Sequence, residues 1–313
     1  MYCITVRKLR HNAAVSLITI ILFFELSIIE EIGEDNLKLT FEKIRMNYGG
    51  FSVRVKEDEK ELCAWQTDTF EIDYYDSDHN QQHPHTILMF VPGNPGCAGW
   101  YIAMLKTVVE RLGRGYACRA ASYAGHGTVS HLVTAKDDKG KKLAWSVDGQ
   151  VEHKIEWIDL VTREFMSIGT EERQESARAL PRFIFISHSI GAHLVQRLCV
   201  LREDILLRTD AIIHFMPFTR FDPMPMWKET FLSTLANIPG LIIPTFQMGS
   251  RFASKMPQRF VDGFLEHIAG MSLLEDRELA RELFTNDEYV ENHLQLGLEE
   301  IRHIPENHDV SLN

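Results

Sequence analysis

The chain has 313 residues, of which 45% are hydrophobic, so it can bury a sizeable core in one large domain or two small ones. Its formal net charge of -11 argues against a nucleic-acid surface, because phosphate binding requires clustered Lys and Arg. Five widely separated cysteines without a Cys-x-x-Cys pair predict free thiols, and no set of His and Cys clusters has metal-site spacing, so we expect no metal and no cofactor.

The first 35 residues differ in character from the rest of the chain. Basic residues precede an apolar run from Ala13 to Phe24, which is shorter than the about 20 residues that a bilayer-spanning helix needs. This pattern is typical of a signal peptide or a membrane anchor, and an extension from a wrong start site is an equal alternative. We therefore set residues 1–35 apart from the fold.

Residues 36–216 have the pattern of an α/β core. Strand-like segments at 37–44, 51–55 and 62–66 are separated by charged turns, as in an antiparallel start to a sheet. Buried strands and amphipathic helices then alternate, with strands at 86–91, 116–123, 183–186 and 211–215 and helices at 99–112, 150–166 and 190–201. This alternation implies right-handed crossovers and a mostly parallel sheet.

The alternation ends after Phe215. Residues 230–250 contain no charge, but Pro239 and Pro244 are expected to interrupt them, so a straight spanning helix is not expected. We predict that residues 217–285 form a cap or lid over an acyl pocket, a hairpin that enters a lipid monolayer, or ordinary helices packed on the core. A charged helix and a polar tail occupy residues 286–313.

The most informative segment is Phe183-Ile-Phe-Ile-Ser-His-Ser-Ile-Gly191. A buried strand, a tight turn at Ser189 and a helix form the context of a nucleophile elbow, which raises the serine hydroxyl above the sheet edge. The N–H of Ile190 lies at the helix N-terminus, where it can stabilise an oxyanion. Ser187 stands where the Gly-x-Ser-x-Gly pattern has its first glycine. The alternative role of Ser189 is that of a helix N-cap.

A second loop at the same sheet end is Pro92-Gly-Asn-Pro-Gly96. It comes directly after an earlier strand, where a second oxyanion donor is expected, and the N–H of Asn94 is the natural donor because Pro95 has none. Taken alone, this segment is also an ordinary Gly/Pro turn. His126 comes too early in the chain to be the base and is interpreted as a structural loop residue, and His214 as a core residue.

These segments together resemble one family, the lipid droplet-associated hydrolases. The resemblance lies in Val91-Pro-Gly-Asn-Pro-Gly96 with Tyr101, Gly125-His-Gly127, Gly149-Gln-Val-Glu-His-Lys154 and Ser187-His-Ser-Ile-Gly191. It implies an α/β-hydrolase fold with helices on both faces of the sheet and a cap insertion. It also implies a nucleophile at Ser189, backbone oxyanion donors at Asn94 and Ile190, and residence on lipid droplets and the endoplasmic reticulum membrane.

The resemblance also implies that the catalytic acid and histidine come after later strands. Leu296-Gly-Leu-Glu-Glu300 resembles the helix before the acid-bearing strand, and the sequence ends at Asn313, so the last strands and both residues are expected to be missing. From the residues present, Asp222 with His303 or His308 is the remaining candidate acid–base pair, in the chain order of this fold.

The leading interpretation is a lipid-droplet serine hydrolase. Ser189 attacks the carbonyl of a sterol ester or acylglycerol, and water then releases the acyl group. The alternatives are a lipid-droplet binding protein without catalysis and a truncated form without function.

Overall fold

The computed structural model of the chain describes residues 3–6, 44–57, 60–74, 84–127, 142–167, 180–218, 237–267 and 274–303. Two of the candidate catalytic residues, Asp222 and His308, lie outside these ranges. So do most of the N-terminal leader and residues 230–236 of the uncharged stretch.

Within the described ranges, seven strands form one sheet. They are β1 (Cys3–Val6), β2 (Ile44–Glu57), β3 (Lys60–Tyr74), β4 (Thr86–Val91), β5 (Tyr116–Ala121), β6 (Arg182–His188) and β7 (Thr209–Phe215). Their order across the sheet is β1-β7-β6-β4-β5-β3-β2. Strands β5, β4, β6 and β7 are parallel neighbours, whereas β2, β3 and β1 pair antiparallel. The parallel centre with an antiparallel start agrees with the sequence-based prediction.

The N-terminal hairpin is longer than predicted. The structure has two strands of 14 and 15 residues, and β3 continues past the predicted strand at 62–66. The extension alternates in its burial, since Phe70 and Ile72 are buried while Glu71 and Asp73 are less so. This period of two is the pattern of a strand with one face on the core, and the polar residues concealed it. Most of the segment predicted at 37–44 lies outside the described residues.

A short piece of the leader lies in the sheet. We predicted that residues 1–35 stand apart from the fold, but β1 pairs antiparallel with β7, from Cys3 opposite His214 to Val6 opposite Ala211. The correction applies to these four residues, because a strand can join an open edge through backbone hydrogen bonds whatever its side chains are. The prediction for residues 7–35 lies outside the described part of the chain.

Helices cover both faces of the sheet. They are α1 (Ile102–Leu112), α2 (Val147–Ser167), α3 (Gly191–Leu201), α4 (Glu203–Leu207), α5 (Pro239–Lys255), α6 (Gln258–His267), α7 (Leu274–Phe284) and α8 (Asp287–His303). Successive residues of β4 point to opposite faces, so Met89 packs with α2 and α3 while Phe90 packs with α1. All six residues of β4 are therefore buried, as expected for a central parallel strand.

Helix α5 corrects the prediction that prolines interrupt the uncharged stretch. Pro239 occupies the first turn, where the missing N–H costs no helical hydrogen bond, and Pro244 lies inside the helix. Pro244 has no N–H, so one helical hydrogen bond, to the carbonyl of Gly240, is absent near the N-terminal end of α5. In the ranges that the structure covers, no helix has both the length and the apolarity to cross a membrane.

Gly191 sets how closely α3 approaches β4. A Cβ atom at this position would lie 2.5 Å from the carbonyl oxygen of Pro92 and 2.6 Å from that of Val91. Both are backbone atoms, so relief of the clash would require the helix or the strand end to move.

We predict that Gly191→Ala lowers the free energy of unfolding by about 2–4 kcal/mol, because the added methyl overpacks a backbone contact. Gly249→Ala is the matched control, since nothing lies within 4 Å of a Cβ there. That change is expected to be neutral or to stabilise by about 0.5–1 kcal/mol, because alanine favours helix over glycine. Equal denaturant midpoints for the two variants would contradict the prediction.

Candidate active site

Ser189 lies in the tight turn between β6 and α3. Its φ of 51° is in the left-handed region, which is uncommon for a residue other than glycine and is found at strained functional turns. The Ser189 N–H donates to the Phe215 carbonyl, and the Ser189 carbonyl accepts from the N–H groups of Ala192 and Phe218, each at 3.0 Å. Contacts with the end of β7 and with α3 therefore fix the turn, and the strand–turn–helix geometry expected from the sequence is present.

The loop after β4 passes directly beside this turn. A Cβ atom at Gly93 would lie 2.8 Å from Ser189 Cβ and 2.6 Å from His188 Nδ1, so only glycine fits there. The neighbouring backbone N–H of Asn94 and that of Ile190 donate no hydrogen bond to any residue that the structure describes. The two loops that meet at the serine therefore each carry an N–H group without a described hydrogen-bond partner.

Tyr101 and His188 form a pair next to the serine. The Tyr101 hydroxyl and His188 Nδ1 are 2.8 Å apart. Burial raises the pKa of Tyr101 to about 12, with a partial offset from the Gly93 N–H, and burial lowers the pKa of His188. Both groups are therefore uncharged at neutral pH. No sequence signal indicated this pair, because 87 residues separate Tyr101 from its partner.

Ser187, which replaces the first glycine of the elbow pattern, also has a partner. Its hydroxyl lies 2.6 Å from His214 Nδ1, and both side chains are buried. Burial lowers the pKa of His214 to about 4, so the imidazole is neutral. His214 is a core residue, as predicted, and the pair satisfies two polar groups that would otherwise be costly to bury.

The loop after β5 holds the turn at residues 92–96. His126 Nδ1 lies 2.9 Å from the Pro95 carbonyl, and the Tyr123 hydroxyl donates a short hydrogen bond to the Pro92 carbonyl. Burial lowers the pKa of His126 to about 3, so the ring stays neutral. The interpretation of His126 as a structural residue is confirmed.

Side chains of the segment Gly149–Lys154 bind the backbone of the loop after β5. The Gln150 amide accepts from the Ala124 N–H and donates to the Ala124 carbonyl, both at 3.0 Å. Lys154 Nζ donates to the carbonyls of Ala121 at 2.8 Å and Ser122 at 2.6 Å. Burial lowers the pKa of Lys154 well below its usual value. The segment Gly149–Lys154, which is part of the family resemblance, therefore binds backbone atoms of the loop through buried side chains.

Helix α8 holds the side chain of Asn94. Asn94 Nδ2 donates to the His293 carbonyl at 3.2 Å, and a Cβ atom at Gly297 would lie 3.2 Å from the same nitrogen. Glu300 is only 8% exposed, and burial raises its pKa to about 8, with a partial offset from the Asn94 side chain. The sequence did not indicate this contact, since 199 residues separate Asn94 from His293.

The candidate acid and base are not brought to the serine within the described ranges. Asp222 and His308 lie outside them, and His303 is the last residue of α8, with its side chain not among those described. No described side chain hydrogen-bonds to Ser189 Oγ. In the same ranges, no three His, Cys, Asp or Glu residues are placed to hold a metal ion. The roles of Asp222, His303 and His308 stay predictions.

Comparison with known proteins decides the family. A family model described as lipid-droplet associated hydrolase matches residues 84–312, which is most of the chain. The chain belongs to the lipid-droplet associated hydrolase family. Similar members include a lipid droplet-associated hydrolase of Gallus gallus, 26% identical over 42% of this chain and 39% of that protein. Another, of Homo sapiens, is 24% identical over 47% of this chain and 43% of that protein.

The matched region spans half of the length of these curated relatives or less. Among solved structures, this family member is similar to a probable hydrolytic enzyme of Pseudomonas aeruginosa (15% identity, 82% of this chain, 68% of that one, TM-score 0.44). It is also similar to an epoxide hydrolase of Vigna radiata (15% identity, 83% and 74%, TM-score 0.44). At this identity, the similarity to these solved structures assigns no role to any residue of the chain. The chain has the α/β-hydrolase fold, with a mostly parallel sheet, helices on both faces and a serine turn after β6.

We predict that Glu300→Gln stabilises the protein increasingly as pH rises from 5 to 9. The carboxyl pKa is raised from 4.5 to about 8 in the folded state, so the folded state holds the proton more tightly than the unfolded state. Stability is therefore lost as pH rises through this window, and glutamine removes that loss. The expected gain at pH 9 is about 4–5 kcal/mol, since one pKa unit corresponds to about 1.4 kcal/mol.

Denaturant unfolding at several pH values measures the effect. Glu299→Gln is the control for the loss of one carboxylate, because Glu299 is the preceding residue of α8 and is less buried. A stability difference between Glu300→Gln and the unchanged chain that stays constant from pH 5 to 9 would be inconsistent with a buried, protonated Glu300.

Proposed function

We propose that the chain is a serine hydrolase that cleaves a lipid ester, with Ser189 as the nucleophile. The observation that carries the proposal is the left-handed turn at Ser189, beside the loop of Gly93 and Asn94, with the N–H groups of Asn94 and Ile190 donating to no described residue. A turn of this kind lifts a hydroxyl out of the sheet and leaves room for an oxyanion between two donors.

The proposed reaction uses the Ser189 hydroxyl and these two N–H groups. Ser189 Oγ attacks the ester carbonyl while its proton passes to a base, and the negative charge on the carbonyl oxygen is held by the N–H groups of Asn94 and Ile190. The bond to the alcohol then breaks, the base returns the proton to the departing alcohol, and the acyl group stays on Ser189. Attack by water on the acyl-enzyme releases the fatty acid and restores the serine. No cofactor takes part in these steps.

The base is proposed to be His303 or His308, with Asp222 as the acid that orients it. The chain order serine, acid, histidine is that of this fold. His303 is the last residue of α8, one turn beyond Glu300, and α8 packs against the loop that carries Asn94. This packing brings the element that ends in His303 beside the proposed oxyanion loop.

The substrate is proposed to be an acylglycerol or sterol ester at the surface of a lipid droplet or the endoplasmic reticulum membrane. The names of the relatives support lipid droplets as the location. The neutral groups around the turn, among them Tyr101 and His188, suit an uncharged ester. Residues 217–285 are proposed to form the cap or membrane-associating region.

A second candidate is a lipid-droplet binding protein without ester turnover. It is favoured by one observation, that no described side chain hydrogen-bonds to Ser189 Oγ. Without a positioned base, a serine loses on the order of 10⁴ or more in rate.

Labelling with a fluorophosphonate probe separates the two candidates. We expect the 313-residue chain to be labelled and Ser189→Ala to be unlabelled, because the probe reacts with an activated serine. Ser254→Ala is the control and should label fully, since Ser254 is an exposed helical serine that donates to the Arg251 carbonyl. Among Asp222→Ala, His303→Ala and His308→Ala, the variants that remove the acid and the base should slow labelling by about 10³-fold or more.

Absence of labelling in a chain that unfolds in one cooperative transition would contradict catalysis by this chain and favour the binding protein. The same result in a chain without a cooperative transition would indicate that it does not fold stably by itself.

A further inference from the structure

Exposed apolar side chains are concentrated on α5 and α6. Of the fourteen large apolar side chains that are exposed in the described ranges, eight lie between residues 238 and 264. They are Ile238, Leu241, Phe246, Met248, Phe252, Met256, Phe260 and Phe264, and we call them the apolar face. An exposed apolar group of this size marks an interaction surface.

The apolar face points away from the body of the protein. On α5, Ile243 is buried and packs against Leu298 of α8. Leu241, Met248 and Phe252 have a spacing of seven and four residues, which places them on the opposite side of the helix, and they are 65%, 68% and 67% exposed. A surface helix ordinarily carries polar residues there. Helix α5 is therefore apolar on both sides.

Helix α6 follows α5 directly and also exposes large apolar side chains. Phe260 and Phe264 are four residues apart and both exposed, while Leu265 is buried. Met256 lies in the short connection between the two helices and is also exposed. Helix α5 and the connection contain no acidic residue, and helical spacing places Asp262 of α6 on the side opposite Phe260 and Phe264.

The charges of this region are arranged around that surface. Between residues 237 and 261 there is no acidic residue in a chain of net charge -11. The basic residues of this stretch are Arg251, Lys255 and Arg259. Arg251 pairs with Asp287 of α8, whereas Lys255 and Arg259 form no ion pair with a described residue. Lys255 and Arg259 therefore make the edge of the apolar face positive.

The acidic residues of α6 are held on its inner side. Asp262 accepts from Arg281 of α7 at 2.8 Å, and Glu266 pairs with Arg277 of α7. Their charges are compensated within the protein and are kept off the apolar face. Apolar side chains with an unpaired basic edge are typical of a helix that lies in the interface of an anionic lipid surface.

We propose that the apolar face of α5 and α6 is the surface by which the chain binds a phospholipid monolayer, with Lys255 and Arg259 at the anionic head groups. A second copy of the chain is the other possible occupant. A two-fold contact through this face would place the unpaired cations of both copies at one shared interface, and like charges across an interface are unfavourable.

This inference deepens the proposed function and rests on it for the source of the lipid. Helix α8 lies between the two sites, because Leu298 contacts Ile243 of α5 while His293 and Gly297 contact Asn94. The lipid surface and the proposed oxyanion loop would then be joined through one helix, with the ester delivered from the monolayer to Ser189.

Flotation with triolein droplets coated with phosphatidylcholine, with or without phosphatidylserine, tests the proposal. Every chain carries Ser189→Ala, so that binding is measured without ester turnover. We expect Leu241→Ser with Phe252→Ser to lower partitioning about tenfold or more, because both side chains would lose burial in the monolayer. Lys255→Gln with Arg259→Gln should abolish most of the gain that phosphatidylserine gives.

The matched control is Leu201→Ser with Leu207→Ser, which removes two similarly exposed leucines from α3 and α4. It should leave partitioning within about twofold of the parent. Thermal unfolding of each variant verifies the fold, and Met248→Glu provides an independent test of the same face.

Partitioning that is unchanged by Leu241→Ser with Phe252→Ser, or lowered equally by the control, would overturn the proposal. So would a dimer on size exclusion that these two changes dissociate while droplet binding stays intact. The outcome is independent of catalysis: unlabelled Ser189 with intact flotation would refute the hydrolase and leave the lipid surface standing.

Discussion

The arrangement of the site depends on the contact between Gly191 and the carbonyl groups at the end of β4. The two carbonyl oxygens would lie within 2.6 Å of a Cβ at this position, so α3 begins closer to the sheet than any side chain permits. That approach brings the Ser189 turn, which is followed by Ile190, against the loop of Gly93 and Asn94. A wider spacing between helix and strand would separate the two loops.

Several polar residues near the serine bind backbone atoms and fix the loops. Gln150 and Lys154 hold the chain after β5, and His126 holds the Pro95 carbonyl. Each of these groups is buried and hydrogen-bonded, so displacement of the loop would leave a buried polar group unsatisfied, at a cost of about 1–3 kcal/mol. The network therefore gives the glycine-rich turns a rigidity that their own residues do not supply.

The elements of the fold that could be predicted from the sequence are those with a local signal. β4, β6 and the Ser189 turn are marked by apolar runs ended by Gly, Pro or Ser, and the structure has them where they were expected. The length of β3 was missed because its polar face conceals the alternation. The Tyr101–His188 pair and the contact of α8 with Asn94 join residues that are 87 and 199 positions apart in the sequence. A local sequence pattern cannot predict contacts between residues so far apart.

Burial of titratable groups determines the charge of the surroundings of the serine. Six of the groups whose pKa burial moves away from its ordinary value are Tyr101, His126, His188, His214, His293 and Glu300. Each is uncharged at pH 7, so these six side chains add no field that competes with the two backbone dipoles at the turn. An ester can enter such a site without giving up ionic hydration, whereas a carboxylate or phosphate would lose its water and gain no counterion from them.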